Sequence, residues 1–479
     1  MLSGGVTTEK WKAPPMYPIA EFAKELVAIE HTTDPMQIRI KSRDRYAVSP
    51  LLKQMLEGKR ADVVVSPKTM PELLDTIRAA VKHKIPITAR GGGTANYGQS
   101  VPLRGGILLD MSGFAGLVFV RPGTVRAKAG TIIAAIDDAA RAIGWELRFH
   151  PTTKKTATIA GHVAGGQGGP GSVVYGTLRD RGNVVAAHLV TAEAEPRILE
   201  LRGRDAQLIH HTYGATGIIT EIEMPLAPAW AWQEALLAFP GYIDAVRFGV
   251  GLANATGITK KVVSIQEWPT PRLIRQFSAL VPEGHSIVST MIAPQSWEEF
   301  EQFVAESGGV IVSSSPEGQG PYGAPITEFV FGHALLQVQK SEPGRAGIEG
   351  FYRDADLVGL IERVHEKVKS FGPMRTELMR LGGELVGSGS PYFVYESPEQ
   401  MTELVRLMQH AGALVANSHT SNVRAVGKKE ITARDLAFKR AVDPHGLLNP
   451  GRFEVDRGAD ERFSLELPTD GWERRLARL

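Results

Sequence analysis

Three consecutive glycines follow an arginine in TARGGGTANYGQSVP, residues 88–102. A run of glycine amides without side chains can close around an anion, because each N–H points inward and nothing blocks the approach. A nucleotide P-loop needs a lysine and a hydroxyl residue after its glycines, and no lysine follows here. A dinucleotide fingerprint needs its glycines to open a helix. Here Asn96, Tyr97, Gly98, Pro102, Gly105 and Gly106 follow, which is poor helix material, so the loop lies between two strands. Alone it is read either as an anion nest or as a tight turn with no ligand. A second cluster, TATIAGHVAGGQGGPGSVVYGTLRDRG (156–182), has seven glycines between Gly161 and Gly176. Thr158, Gly161, His162 and Gly165 could lie along a helix start, where free amides and the helix dipole favour an anion. Two such backbones together suit a long ligand with a diphosphate and a flat ring system. The other reading is a compact glycine loop packed on a sheet.

These loops need elements to hold them. PELLDTIRAAVKHK (71–84) places Leu73, Leu74, Ile77, Ala80 and Val81 on one helical face, with Pro71 in the first turn. IPITA (85–89) reads as a strand entering the first loop, and ILLDM (107–111) and GLVFV (116–120) are apolar runs of strand length. TVRAKAG alternates before a turn, and TIIAAIDDAARAIG (131–144) is a helix closed by Gly144. AAHLVTA and PRILELR form a strand pair, and GIITEIEMPLAP (217–228) is a strand ended by prolines. After Pro228 the texture changes: tryptophans stand at 230, 232 and 268, and strand-like and helix-like segments alternate to about residue 412.

With 479 residues, 43% of them hydrophobic, the chain can build two or three packed domains. Its 54 basic and 52 acidic residues nearly balance, which leaves no electrostatic footprint for nucleic acid or a membrane surface. No apolar run has transmembrane length, and MLSGGVTTEKWKAPPMYP has no secretory apolar core, so the expectation is a cytoplasmic protein. The absence of cysteine excludes disulfides, cysteine-ligated clusters, cysteinyl nucleophiles and thioether tethers.

The succession RGGGT, GGILLDM, a strand and helix, TATIAG…GG…YGTLRD, then GIITEIEMPLAP resembles the FAD-binding domain of vanillyl-alcohol oxidase, p-cresol methylhydroxylase and the FAD-linked D-lactate dehydrogenase and glycolate oxidase group. LLNPGRF near the C-terminus is a further family-like signature. The resemblance implies an α+β fold: a two-subdomain FAD-binding domain of the p-cresol methylhydroxylase (PCMH) type, with an α+β cap domain over the flavin ring. Its expected boundaries are an N-terminal arm 1–60, the FAD-binding domain 61–228, the cap or substrate domain 229–412 and a return segment 413–479. It implies that Arg90, Gly91, Gly92, Gly93 and Thr94 wrap the FAD diphosphate, continued by Tyr97, Gly98 and Gln99. Pro151 and Thr152 would run beside the flavin. Thr158, Gly161, His162, Gly165 and Gly168 would line the ring and ribityl chain, and Gly217, Ile218 and Ile219 would supply main-chain contacts. Many relatives tether the flavin through a histidine where this chain has Thr94, so dissociable FAD is expected; a link through a cap histidine is the other possibility.

The implied chemistry is oxidation of an alcohol or 2-hydroxyacid, with a C–H hydride passing to flavin while a base takes the O–H proton. An oxidase of aromatic or polyol alcohols and an NAD(P)H-fed reductase are the alternatives, and the electron acceptor could be oxygen, a quinone or a redox protein. His333 lies in TEFVFGHALLQVQ (327–339), where the D-2-hydroxyacid dehydrogenases show a metal-binding GHxGDGNLH. Leu336, Gln337 and Gln339 break that motif, so no metal is expected and His333 reads as a strand residue or a base. His419, in ALVANSHTSNVRAVGKK (413–429), sits where that group has an EHG segment by the flavin, and is expected partly solvated and able to titrate. Tyr392 and Tyr395 are expected on one face of a strand, lining the pocket or packing in the core. Arg375 and Arg424 either pair a substrate carboxylate or lie solvated at the surface. Arg148 and His150 precede Pro151 and could face substrate or solvent.

Overall fold

Short apolar strands with few polar residues need both faces covered, and the first sheet meets that need. The computed structural model describes residues 17–45, 49–417 and 419–453. Val63–Val65 and Ile87–Arg90 flank Ile107–Asp110 in parallel, and His31–Thr32 adds an antiparallel edge beside Val63–Val65. The helix Met70–Lys82 makes the crossover. Its start is fixed by Thr69, which accepts from the Glu72 amide, and it buries Leu73, Ile77, Ala80 and Val81. Helix Ile19–Glu25 buries Phe22 in the same core. The N-terminal segment thus joins the first sheet.

The second sheet is antiparallel, in the order Leu117–Arg121, Thr124–Lys128, Ile218–Pro228, Ala186–Val190 and Ile198–Arg202. Trp145–Leu147 pairs with the far end of Ile218–Pro228. Helices Ile133–Arg141 and Ile159–Gly165 close its core.

The third sheet has eight antiparallel strands, from Gln233–Phe239 to Leu414–Ala416, so it runs past residue 412 into the return segment. Its pleat sets two faces. Along Met374–Leu381, Met374, Thr376 and Leu378 are fully buried toward helices that include Tyr242–Asn254, Leu357–Val368 and Pro398–His410. Arg375 and Met379 point the other way.

The second and third sheets are locked together by a buried ion pair. Lys261 Nζ lies 2.9 Å from Glu146 Oε1, their side chains 2% and 4% exposed. Trp232 Nε1 donates to the same carboxylate at 3.0 Å, and Arg141 reaches it at 2.8 Å. Removing one partner of such a cluster leaves a buried charge uncompensated, at a cost of about 3–5 kcal/mol. The relative position of the sheets, and so the shape of any cleft between them, is held by these contacts. Among the described residues no helix is long and apolar enough to cross a membrane.

Candidate active site

The uncovered face of the third sheet looks onto both glycine clusters, and the space between is a cavity of ≈ 350 Å³. The sheet contributes Arg375 and Met379 from one strand and Ser388 and Ser390 from its neighbour, where Arg375 pairs with Ser390. The opposite wall carries Arg90 to Tyr97, Thr158, Gly161, His162 and Gly165 to Gly168. The helix Phe331–Ser341 adds Phe331, His333, Leu335 and Leu336.

The two glycine clusters touch. A Cβ on Gly91 would stand 2.0 Å from Thr158 Oγ1, and one on Gly92 would stand 2.0 Å from the Thr156 carbonyl. Glycine at these positions lets two backbones meet. Gly93 has a separate reason: its φ of +63° lies in the left-handed region, and the Arg90 guanidinium occupies the space a Cβ would take. Thr158 caps the short helix Ile159–Gly165 by accepting from the Gly161 amide. The residues from Gly91 to Asn96 lie outside any helix or strand.

The C-terminal LLNPGRF runs beside the first sheet. The Ile87 amide donates to the Leu447 carbonyl, and the Asn449 amide donates to the Ile87 carbonyl, both at 2.8 Å. Asn449 Nδ2 reaches the carbonyls of Gln99 (3.0 Å) and Tyr213 (2.7 Å). Arg452 is fully buried and donates to the carbonyls of Gly98 (2.5 Å), Val101 (2.7 Å) and Ser421 (2.9 Å). This signature therefore pins the end of the first glycine loop, a role that the sequence alone does not disclose.

Buried polar atoms are almost always paired in folded proteins. Around this cavity Arg90 Nε, Ser100 Oγ, His162 Nε2, Arg375 Nε, the Tyr392 hydroxyl and His419 Nε2 are buried with no hydrogen-bond partner among the described residues. Such clustering fits a polar, extended ligand. The cleft also combines close backbone approach at the glycines with a polar opposite face, which fits a dinucleotide cofactor on one side and a small substrate on the other.

Burial sets the protonation of the cavity histidines. It lowers the pKa of His162 and of His211 to about 3, and that of His419 to about 4. All three are neutral near pH 7. A buried cation survives elsewhere: burial opposes the charge on Lys428, but the Glu349 carboxylate and Tyr97 offset it and its pKa is raised. Lys428 Nζ bonds Glu349 and lies 2.8 Å from the Tyr97 hydroxyl, which also meets Glu349 at 3.0 Å. This cluster ties the glycine loop, the third sheet and the return segment together.

The structure brings most of the expected site residues to the cavity: Arg90 to Thr94, Tyr97, Gln99, Pro151, Thr152, Thr158, Gly161, His162, Gly165, Gly168, Gly217, Ile219, His333 and His419 line it. Gly98 and Ile218 stand behind the lining, Gly98 against Leu56 and Ile218 in the core of the first sheet. Several local readings change. His333 sits on a helix, because the buried Ala334 and Val338 are spaced for a helix and the Glu377 carboxylate caps the Phe331 amide at 2.6 Å. His419 is 2% exposed, not partly solvated, since the return segment passes under helix Pro50–Leu56, where Ser49 Oγ meets its Nδ1 at 2.7 Å. Tyr392 and Tyr395 do not share a face: three residues apart on extended chain they point oppositely. Tyr392 is buried at the cavity, while Tyr395 is half-buried against the core behind the third sheet. Arg375 is drawn inside, 3.4 Å from the buried Glu377, whereas Arg424 is exposed. Arg148 stacks over Tyr175, and His150 is buried with its Nδ1 on the Pro151 carbonyl; neither lines the cavity.

Sequence reasoning missed Arg45, Ser49, His211, Tyr213, Glu349 and Lys428, all in the lining. His211 and Tyr213 adopt left-handed φ of 52° and 55°. Non-glycine residues in that region cost about 1–3 kcal/mol each and collect at functional sites. The polar, aromatic run HHTYG just before a strand was the available signal; the other residues are ordinary polar types that give none.

A glycine-lined cleft closed by the polar face of a large antiparallel sheet defines a two-part, α+β cofactor-binding enzyme fold. Residues 61–199 match the family described as FAD binding domain. The chain is 22% identical over 427 residues to the glycolate oxidase subunit GlcD of Escherichia coli K12, covering 81% of this chain and 83% of that protein. It is 31% identical over 203 residues to a D-lactate dehydrogenase of Archaeoglobus fulgidus, covering 40% of this chain and 45% of that one. Among solved structures, an alkyldihydroxyacetonephosphate synthase superposes with a TM-score of 0.66 at 16% identity over 92% of this chain and 87% of that chain. A 4-ethylphenol oxidase from Gulosibacter chungangensis superposes at 0.63 and 15% identity over 92% of this chain and 98% of that chain. These structures are alike in fold. Residues 61–199 carry an FAD binding domain, and the chain is similar to FAD-linked oxidases and dehydrogenases. FAD is its cofactor, and it is an FAD-linked oxidoreductase.

Proposed function

We propose that this enzyme oxidises a small 2-hydroxyacid. One observation carries the reading: Arg375 Nε and the Tyr392 hydroxyl are buried at the cavity with no hydrogen-bond partner among the described residues. A guanidinium and a phenol side by side suit a carboxylate, which accepts from both. Arg45 adds a second guanidinium to the lining. Two relatives are described as acting on glycolate and D-lactate, both 2-hydroxyacids, which supports the same class.

In this reading Arg90 to Thr94 and Tyr97 to Gln99 hold the FAD diphosphate, and Thr158 to Gly168 with Pro151 and Thr152 lie along the flavin and ribityl chain. When bound, FAD supplies a two-electron acceptor. The chain's own residues bind the acid, orient its C–H bond, exclude water and take its hydroxyl proton.

An anaerobic panel of 2-hydroxyacids, benzylic alcohols, polyols and NAD(P)H, read at the flavin absorbance, tests this. Hydroxyacids should bleach the flavin. Arg375→Met should lower kcat/KM for the best acid by about 30- to 3000-fold, corresponding to the 2–5 kcal/mol typical of a lost buried charge pair. Bleaching by neutral alcohols alone would overturn the reading. Admitting air then tells an oxidase from a dehydrogenase.

We also propose that FAD is held without a covalent bond, because Thr94 follows the glycines and there is no cysteine. Acid precipitation should leave yellow FAD in the supernatant. A yellow pellet, fluorescent on a denaturing gel, would show a tether through a cavity histidine.

A further inference from the structure

We propose that His333, oriented by Glu328, is the base that takes the substrate hydroxyl proton. This inference rests on the oxidation reading above. The helix Phe331–Ser341 begins at the cavity wall, and its first residue, Phe331, has a left-handed φ of 49°. A bulky residue holds such a φ only where its surroundings enforce it. Here the buried Glu377 carboxylate accepts from the Phe331 amide at 2.6 Å, and this sharp turn brings His333 into the lining.

The imidazole is then held at both ends. Nδ1 lies 2.9 Å from Glu328 Oε2, one turn upstream, and Nε2 lies 3.5 Å from Arg45 Nη1. A carboxylate and a guanidinium at these two nitrogens select one tautomer. Nδ1–H donates to Glu328, and the Nε2 lone pair is left as the acceptor. The hydrogen bond to His333 lowers the pKa of Glu328, so the carboxylate stays ionised. A carboxylate behind an imidazole whose Nε2 keeps its lone pair, with Arg45 only at a long 3.5 Å, is the arrangement that fixes orientation and stabilises the imidazolium once a proton arrives. The charged groups around the pair are Arg45 at Nε2 and, acting on Glu328, Lys155 and Arg45.

His419, the other candidate, also lines the cavity but has different surroundings. It is buried, its Nδ1 meets the neutral Ser49 hydroxyl, and among the described residues no carboxylate bonds it. A carboxylate-backed histidine performs the proton transfer from the protein alone. In the step, the substrate O–H bond breaks and its proton goes to Nε2. The C–H hydrogen leaves with its electron pair for the cofactor, so the substrate loses two electrons and becomes the 2-oxoacid.

Stopped-flow flavin reduction by the best panel substrate tests the assignment. His333→Asn should bind FAD normally and slow reduction about 10²- to 10⁴-fold, the usual contribution of a positioned base. Glu328→Gln should slow it about 10-fold and move the acid limb of the pH profile lower, because removing a negative charge disfavours the imidazolium. A readout without turnover accompanies this: in protein with ¹³C-labelled histidine, the resonance missing from His333→Asn should titrate at lower pH in Glu328→Gln. Reduction of His333→Asn within a few-fold of the parent, or a larger loss in His419→Asn, overturns the proposal. An unmoved resonance removes Glu328 from it. If no alcohol or hydroxyacid bleaches the parent enzyme, the oxidation reading fails, and the His333 assignment, which rests on it, falls with it.

Discussion

Gly92→Val should yield a folded protein without FAD. A side chain at this position would put its Cβ 2.0 Å from the Thr156 carbonyl oxygen. Both partners are backbone, so neither can turn aside as a flexible side chain would. The second glycine-rich segment must then move away from the first, and the cleft between them loses its shape. The φ of Gly92 is not in the left-handed region, so the cause is close approach and not backbone strain. Gly92→Ala should therefore already weaken binding, and valine should abolish it. The ratio of flavin to protein absorbance measures the outcome, and circular dichroism shows whether the three sheets still form. A Gly92→Val protein that stays fully yellow would mean that this loop does not hold the cofactor.

The next largest effect is expected from Arg452→Met, far along the chain from either glycine cluster. Arg452 is fully buried and donates to three carbonyls, of which two belong to the end of the first glycine loop. A methionine of similar length fills the volume but donates nothing. Each stranded acceptor costs about 1–3 kcal/mol, so the three together cost at least about 3 kcal/mol. Lysine should rescue poorly, since a single ammonium lacks the rigid fork that spans Gly98, Val101 and Ser421 together. Thermal unfolding should shift down, and FAD should be retained less well at equal protein concentration. An Arg452→Met enzyme with unchanged melting and full flavin content would show that the terminal segment does not support the loop.

These two sites also mark the limit of what can be read from the chain alone. The glycine clusters were legible because their chemistry is local: consecutive residues without side chains permit a backbone approach that other residues forbid. The helix Met70–Lys82 and the strands around it were legible for the same reason, since their caps and apolar spacing lie within a few residues. The order of these motifs along the chain then carried the resemblance to FAD-linked oxidoreductases.

Tertiary structure decided the rest of the site. Arg375 looks like a surface residue in sequence because a charged residue in an alternating strand usually faces water. Its strand belongs to a sheet whose second face is closed over by the glycine loops, so the same alternation turns it into the cavity. His333 reads as part of a strand in FVFGHALLQVQ, and becomes helical because Glu377, from a strand more than forty residues later, caps the turn before it. The contacts of Arg45, Glu349 and Lys428 span still longer separations, the Tyr97–Lys428 bond joining residues 331 positions apart. The sequence by itself indicated the cofactor and the two glycine segments able to approach closely, through backbone chemistry that needs only neighbours. Which side chains face that cofactor was decided by folding three sheets against one another, because a polar side chain acquires a role only from what is packed opposite it.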